Sequence, residues 1–302
     1  MAKKHPVLLC NLLNKCVCGR ISVMANTVSY YLKEMRRCMK NRAFSFLVCI
    51  MVVFTMLSVL VISVFCVVRD SKRPLDTIGD ILTQEETQQP TVTEHHIENV
   101  VTLVQDGLRS GCETYACTML FQTLGYDITE YEFADNYLHC YDVYYGEDGN
   151  MYGPDMNCAF AGNVYNGYGY GINAPAMAKC MNSYLHTIDD GKQAIALSGV
   201  SLDELCQKYV ANDIPVMVWA TTYMDEPYEK FSWIVTYVDE NARHALGDTE
   251  VWLQNEHCMM LCGFDEENYY FGDSVSGGIS VFGKEISNER YAQLSYQAIV
   301  VK

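Results

Sequence analysis

The distribution of apolar and charged residues divides the chain into four parts. Residues 43–68 form an apolar run without a charge, bordered by Arg42 and Arg69. A helix of this length reaches ~39 Å at ~1.5 Å per residue, which exceeds the ~30 Å hydrocarbon core of a bilayer. The run therefore predicts one transmembrane helix, preceded by a basic tail of residues 1–42. Residues 69–98 are polar and predict a stalk, and residues 99–302 predict one well-buried domain.

Within residues 99–302 the apolar spacing changes from that of helices to that of strands. Helical spacing and one capping box predict helices over residues 113–123, 130–137, 174–185 and 201–210. Short apolar runs between turn residues predict strands over residues 100–104, 215–221, 258–264, 269–272, 278–282 and 298–301. Residues 141–171, rich in Tyr, Gly and Asn, predict a long loop. Helices followed by strands indicate an α+β fold, with the N-terminal helices packed on an antiparallel sheet.

The charges predict where each part lies. Residues 1–42 carry nine Lys or Arg and one acid, so the positive-inside rule places this tail in the cytoplasm and the domain outside it. A cleaved signal peptide is disfavoured, because the basic region is long and no small-residue cleavage site follows the apolar run. We therefore expect a single-pass signal anchor in the cell membrane. Residues 74–302 contain nine basic and 35 acidic residues, which argues against binding to nucleic acid.

Three residues in these patterns suggest nucleophilic chemistry. Cys112 follows Gly111 at the start of a predicted helix, where free N–H groups and the helix dipole favour a thiolate. His257 opens one apolar strand and Asp273 ends the next. A thiol, an imidazole and an orienting carboxylate form a Cys-His-Asp triad. Each residue also has an ordinary structural interpretation, as a disulfide partner or core filler, a hydrogen-bonded strand residue and a turn residue.

Several segments resemble the C39-like cysteine peptidases, a branch of the papain-like fold. The resemblance covers roughly residues 98–302 and is carried by residues 105–113, 160–162 with 168–171, 212–216, 256–265 and 269–274. It implies that Cys112 is the nucleophile, His257 the base and Asp273 the group that orients the imidazole. It also implies that Gln105 helps to hold the oxyanion. The expected protein is a bacterial surface peptidase that hydrolyses amide bonds in peptides or proteins, without a metal or organic cofactor.

Three other interpretations stay open at this point. A papain-like fold can also serve a cell-wall peptide amidase. A catalytically silent module could bind a peptide or glycan through the same cleft or through the Tyr-rich residues 141–171. The eight cysteines beyond residue 98 would also permit a structural domain held by disulfide bonds.

Overall fold

The structure, a computed structural model, describes residues 91–302. The predicted tail (1–42), the predicted transmembrane helix (43–68) and the stalk up to residue 90 lie outside the described residues. No helix within residues 91–302 has the length and apolar character needed to cross a bilayer.

Helices and strands alternate irregularly through the described part of the chain. The α-helices are α1 (Cys112–Thr123), α2 (Glu130–Asn136), α3 (Ala174–Ile188), α4 (Leu202–Lys208) and α5 (Lys284–Gln293). The first seven strands are β1 (His95–His96), β2 (Cys140–Tyr141), β3 (Tyr144–Tyr145), β4 (Met151–Pro154), β5 (Phe160–Gly162), β6 (Gly169–Gly171) and β7 (Ala194–Ser198). The others are β8 (Val216–Thr221), β9 (Tyr228–Tyr237), β10 (Thr249–Gln254), β11 (Glu256–Phe264), β12 (Asn268–Asp273), β13 (Gly278–Gly283) and β14 (Gln297–Val301).

The main sheet has the order β13-β12-β11-β8-β14-β7, and all its paired strands are antiparallel. Strand β1 pairs with the end of β11, beyond the last residue that pairs with β8. Two smaller sheets, β10-β9-β4-β3 and β2-β5-β6, each contain one parallel pair. The predicted α+β class and antiparallel sheet are confirmed.

Strand β11 is the centre of this arrangement, because both of its faces are covered. Cys258 and Met260 pack in the cluster that contains α1, whereas Met259 and Leu261 pack with α4 and α5 on the other face. Alternate residues of a strand point to opposite faces, so a strand buried on both sides needs a continuous apolar run. The sequence of β11 has such a run from residue 258 onward.

Helix α1 is also surrounded by protein. Residues 113–121 are all buried, including the polar Glu113, Thr114 and Thr118, and the helix packs on β11 and β8. A helix buried on every side loses the one-sided apolar stripe of a surface helix. The helix reaches solvent only near its ends, where Cys112 at the N-terminus and Gln122 and Thr123 at the C-terminus are partly exposed.

Several sequence predictions of local structure are wrong. Residues 100–104 form no strand, since the N–H of Val101 donates to the side chain of Thr123 instead of to a neighbouring strand. Residues 141–171 contain strands β3 to β6, which are too short to leave a clear alternating pattern. The long hairpin of β9 and β10 and helix α5 were not predicted.

Part of the predicted stalk belongs to the sheet. His95 and His96 form strand β1, and the His95 side chain is hydrogen-bonded to Asp213 with an Nε2–Oδ1 distance of 2.8 Å. The ring of His96 packs edge-on against Tyr270. The main sheet therefore includes two residues that precede the predicted domain start at residue 99.

A buried carboxylate holds the loop between β9 and β10. Asp155 is fully buried, and its Oδ1 accepts a hydrogen bond from the N–H of Asn157 at 2.8 Å. Its Oδ2 accepts from the N–H groups of Arg243 and His244 at 2.8 and 2.7 Å. One side chain thus supplies the acceptors for three backbone N–H groups.

We expect Asp155→Ala to lower the free energy of unfolding by about 2–3 kcal/mol, because it leaves backbone N–H groups without acceptors in the protein interior. Urea unfolding of the full-length protein measures this change. Asp225→Ala, an exposed aspartate without a side-chain hydrogen bond in the described structure, is the matched control and should change stability by less than about 0.5 kcal/mol. Equal effects of the two variants would contradict the structural role of Asp155.

Candidate active site

The thiol of Cys112 lies at the N-terminus of α1, where the sequence pattern predicts it. Gly111 precedes the helix as its N-cap residue, without a side chain to cap it. A Cβ atom on Gly111 would lie 2.6 Å from the Cβ of Leu108, so only glycine allows this close approach of the chain. None of the eight cysteines within residues 91–302 forms a disulfide bond, and Cys112 has a free thiol.

His257 and Asp273 form a buried pair where β11 begins and β12 ends. His257 is the second residue of β11 and Asp273 the last residue of β12, and both are 2 % exposed. The distance from His257 Nε2 to Asp273 Oδ1 is 2.8 Å. Asp273 also accepts hydrogen bonds from the N–H of Val275 at 2.9 Å and from the hydroxyl of Ser280 at 2.7 Å.

The hydrogen bonds to Asp273 keep it ionised. Burial alone would raise the pKa of this carboxyl group, but the hydrogen bonds from His257, Ser280 and Val275 hold that pKa below its ordinary value. An ionised carboxylate accepts, so Nε2 of His257 carries the proton of the neutral imidazole. The other nitrogen, Nδ1, is then left as an acceptor on a residue that lines the same cleft as Cys112. This is the geometry required of a general base with an orienting group.

The proton of the Cys112 thiol is directed away from His257. Its Sγ donates to Glu113 Oε2 at 3.3 Å, and no hydrogen bond joins Cys112 to His257 in the described structure. Burial raises the pKa of the Cys112 thiol well above its ordinary value, and the carboxyl groups of Glu113 and Glu256 raise it further. The expected thiolate is therefore wrong for this resting state. The helix N-terminus does favour an anion, but two carboxyl groups beside the sulfur oppose it.

Glu113 and Glu256 were not predicted as site residues. A carboxylate oxygen of each lies within 4.8 Å of the other and of Cys112 Sγ. Glu113 is fully buried, and its Oε1 accepts a hydrogen bond from the N–H of Ile172 at 2.9 Å. Burial raises the pKa of both carboxyl groups, and for Glu256 the neighbouring Glu113 adds to that rise. The sequence signal was weak: each acid stands directly beside a predicted site residue, Glu113 after Cys112 and Glu256 before His257.

Gly171 packs directly against this acidic pair. A Cβ atom there would lie 2.6 Å from Glu113 Oε1 and 2.9 Å from Glu256 Oε2. Its φ of +102° is also a conformation that other residues rarely adopt. The glycine therefore lets the end of β6 pass close to both carboxyl groups.

Gln105 lines the same cleft as Cys112, but its amide is already used. Its Nε2 donates to the carbonyl oxygens of Leu108 and Arg109 at 3.1 and 3.3 Å, and its Oε1 accepts from Ser274 at 3.0 Å. Its backbone N–H donates to the Ser274 carbonyl at 2.9 Å. In this arrangement Gln105 joins the segment before Cys112 to the turn after Asp273, and an oxyanion would have to compete for its N–H groups.

These residues share a cleft of about 1000 Å³. One wall is aromatic: Tyr170 and Phe231 each pack against Trp252, with ring centroids 5.6 and 5.9 Å apart. Tyr168 and Tyr145, which were predicted to lie in a loop, are 74 % and 69 % exposed and also line the cleft. The cleft can therefore receive an extended ligand with apolar groups.

Two groups of side chains have the composition of metal sites. The first is Cys112, Glu113 and Glu256, and the second is Asp155, His244 and Glu250. In the second group, Arg243 forms an ion pair with Glu250, and backbone N–H groups already satisfy Asp155. The carboxylates of the second group thus already have partners within the protein. The sequence predicted no metal, and neither group is assigned one.

Comparisons with known proteins agree with the fold. A family model, described as the Peptidase_C39 like family, matches residues 90–299. The chain is also similar to a crystal structure described as a candidate C39-like peptidase from Bacillus anthracis, with a TM-score of 0.57 and 23 % sequence identity. That similarity covers 69 % of this chain and 97 % of the other, and at this identity it concerns the fold alone. No curated protein sequence matches this chain significantly.

We expect Glu113→Gln to move the pH profile of Cys112 alkylation to lower pH. A carboxylate beside the sulfur disfavours the thiolate, whereas the neutral amide keeps the size of the side chain without the charge. The rate of Cys112 alkylation against pH, followed by mass spectrometry, measures the shift. Glu266→Gln changes an exposed acid in the turn after β11 and should leave the profile in place. An unchanged or upward-shifted profile in Glu113→Gln would contradict this description of the site.

We expect Gly171→Ala to destabilise the protein more than Gly199→Ala does. Both glycines have positive φ, +102° and +73°, but a Cβ on Gly199 meets no atom within 4 Å. Gly199→Ala should therefore lower the free energy of unfolding by about 1 kcal/mol, which is the cost of backbone strain alone. Gly171→Ala should lower it by about 1 kcal/mol or more beyond that, because its Cβ also meets the two carboxyl groups. Urea unfolding gives both values. Equal losses would show that the two carboxyl groups move aside freely.

Proposed function

The chain belongs to the Peptidase_C39 like family, and on that premise we propose that it is a cysteine peptidase that hydrolyses amide bonds. Cys112 is the nucleophile, His257 the general base and acid, and Asp273 the orienting carboxylate. The observation that carries this assignment is the buried His257–Asp273 pair, which leaves one imidazole nitrogen free on a residue that lines the same cleft as the free thiol of Cys112.

The reaction begins with transfer of the thiol proton to Nδ1 of His257. The sulfur must first leave Glu113, a movement that rotation of the Cys112 side chain supplies; catalytic hydrogen bonds are often formed only with substrate present. The sulfur then attacks the carbonyl carbon and forms a thioester, while the imidazolium gives its proton to the leaving amine. Water, deprotonated by the same imidazole, hydrolyses the thioester and releases the acid.

The oxyanion formed during attack lies at the N-terminus of α1. The N–H of Cys112 belongs to the first turn of that helix, whose N–H groups have no acceptors within the helix. This donor and the positive end of the helix dipole support the negative oxygen. Gln105 contributes a second donor only if its amide gives up one of its contacts to Leu108 and Arg109.

The setting of the enzyme is part of the same proposal. We place the catalytic domain outside the cytoplasm, on an anchor formed by residues 43–68. This placement is supported by the charge pattern around the apolar run. Its substrates are then peptides or proteins at the cell surface, including cell-wall peptides.

A catalytically silent binding module is the second candidate. The observation that favours it is the hydrogen bond from Cys112 to Glu113, which leaves His257 without its nucleophile in the resting structure. The aromatic wall of the cleft would serve such a module equally well. Binding of peptides that does not depend on the Cys112 thiol, together with no hydrolysis by the parent protein, would favour this candidate.

We expect Cys112→Ala to abolish hydrolysis of a peptide library and His257→Ala to lower kcat by about 10³-fold or more, because each change removes a group that acts in every turnover. The release of new amino groups by the full-length proteins measures both. Cys140→Ala removes an exposed thiol outside the cleft and should retain the activity of the parent. Activity of a folded Cys112→Ala protein equal to that of the parent would overturn the proposal.

A further inference from the structure

Three aromatic rings from two separate sheets form one wall of the cleft. Phe231 of β9 and Trp252 of β10 are directly opposite each other in their hairpin, and their ring centroids are 5.9 Å apart with an interplanar angle of 29°. Tyr170 of β6 stands nearly perpendicular to both rings, at centroid distances of 5.6 Å. The wall is therefore a continuous apolar surface that exists only when the two sheets are assembled.

Packing in the core does not use the whole surface of these rings. Tyr170 and Trp252 pack against the small buried cluster that contains Trp233. Both nevertheless stay partly exposed at the cleft, and Phe231 is 36 % exposed. Adjacent large apolar side chains that remain exposed in a cleft are typical of a binding surface. The wall therefore has an apolar face available for a ligand.

The polar groups beside the wall distinguish between an apolar side chain and a sugar as the ligand. Lys230 Nζ lies 5.7 Å from the centre of the Phe231 ring and donates to Gln254 Oε1 at 2.6 Å. The cation beside the wall thus already has a partner within the protein. A sugar on this wall would need free hydrogen-bond partners for its hydroxyl groups, whereas an apolar side chain needs none. The composition of the wall therefore favours an apolar side chain.

The wall lies close to the sulfur of Cys112. The indole of Trp252 is beside the carboxyl group of Glu256, and one oxygen of that group lies within 4.8 Å of Cys112 Sγ. A contact of ~3 Å between indole and carboxyl group then brings the ring to roughly 8–10 Å from the sulfur. Because an extended residue spans about 3.5 Å, this distance corresponds to about two residues and a side chain. A side chain on the wall therefore belongs to a residue near the bond that Cys112 would break.

We propose that Tyr170, Phe231 and Trp252 form a specificity subsite for one large apolar or aromatic side chain of a peptide substrate, within two residues of the broken bond. The inference rests on the proposed function, since it takes Cys112 as the nucleophile. The bond changes are those given above, and the bound side chain does not react. Removal of its apolar surface from water and contact with the rings both stabilise the complex. A small or charged residue at the same position lacks these contributions.

Cleavage of a synthetic octapeptide library with randomised positions measures this preference for the full-length protein. At one position within two residues of the broken bond, we expect kcat/KM for Phe, Tyr, Trp, Leu or Met to exceed that for Ala by about tenfold or more. Phe231→Ala should lower this ratio by about fivefold, because it removes one ring of the wall. Phe231→Tyr keeps the ring and should retain the preference.

The matched control is Leu246→Ala. Leu246 is an apolar side chain, 64 % exposed, in the loop of the same β9–β10 hairpin and outside the residues that line the cleft. Its removal should leave the ratio of kcat/KM values unchanged. Thermal unfolding shows that each variant is folded, and the preference of the parent protein is itself a test that needs no variant.

Binding without turnover tests the subsite independently of catalysis. The full-length Cys112→Ala protein is incubated with the same octapeptide library and, separately, with an oligosaccharide of N-acetylglucosamine. We expect the bound peptides to be enriched in large apolar residues. The enrichment should be lost when Phe231→Ala is added and kept when Leu246→Ala is added.

The outcomes separate the subsite from the proposed function. Cleavage without the preference, no enrichment in binding, or an enrichment that survives Phe231→Ala would overturn the subsite. Binding of the oligosaccharide that depends on Phe231, without enrichment of peptides, would overturn it in favour of a glycan. Cleavage with the expected preference supports both proposals. Enrichment in binding without any cleavage leaves the subsite standing and overturns the peptidase assignment.

Discussion

The burial of helix α1 against the main sheet is the constraint on which the rest of the site depends. Because residues 113–121 are enclosed by protein, the helix meets solvent only near its two ends, at Cys112 and at Gln122 and Thr123. Its packing on β11 places Cys112 beside the start of the same strand, where Glu256 and His257 follow one another. Successive residues of a strand point to opposite faces. Glu256 therefore lies beside Cys112 and Glu113, whereas His257 is hydrogen-bonded to Asp273.

Two groups of ionisable side chains result, and they differ in how far their charges and hydrogen bonds are satisfied within the group. His257 and Asp273 form a closed pair, in which Ser280 and a backbone N–H satisfy the remaining lone pairs of the carboxylate. Cys112, Glu113 and Glu256 form a group of three acidic side chains without a basic partner among the described residues. In a medium of low dielectric constant, like charges at this separation cannot all ionise. The resting thiol is therefore protonated, and its reactivity depends on what enters the cleft.

Individual residue contacts, as well as the sheet, hold the segments around the cleft in position. Gln105 joins the segment before Cys112 to Ser274, which follows Asp273 along the chain. Gly171 allows β6 to pass against Glu113 and Glu256. These contacts hold Cys112, His257 and the two acidic residues around one cleft, and the longest of them joins Gln105 and Ser274, which are 169 positions apart in the chain. A preorganised site of this kind needs rigid supports, and here the buried helix and the central strand provide them.

The sequence by itself determined the α+β class, the helix that starts at Cys112 and the strand that starts beside His257. These features arise from local spacing and from turn and cap residues, which act within a few positions of the chain. It did not determine strands β3 to β6 or the β9–β10 hairpin, since short edge strands and long hairpins depend on partners distant in sequence. It also did not reveal that Glu113 faces Cys112 or that Glu256 joins them. Only the tertiary structure decided the protonation of the thiol, because a pKa depends on burial and on neighbouring charges that packing brings together.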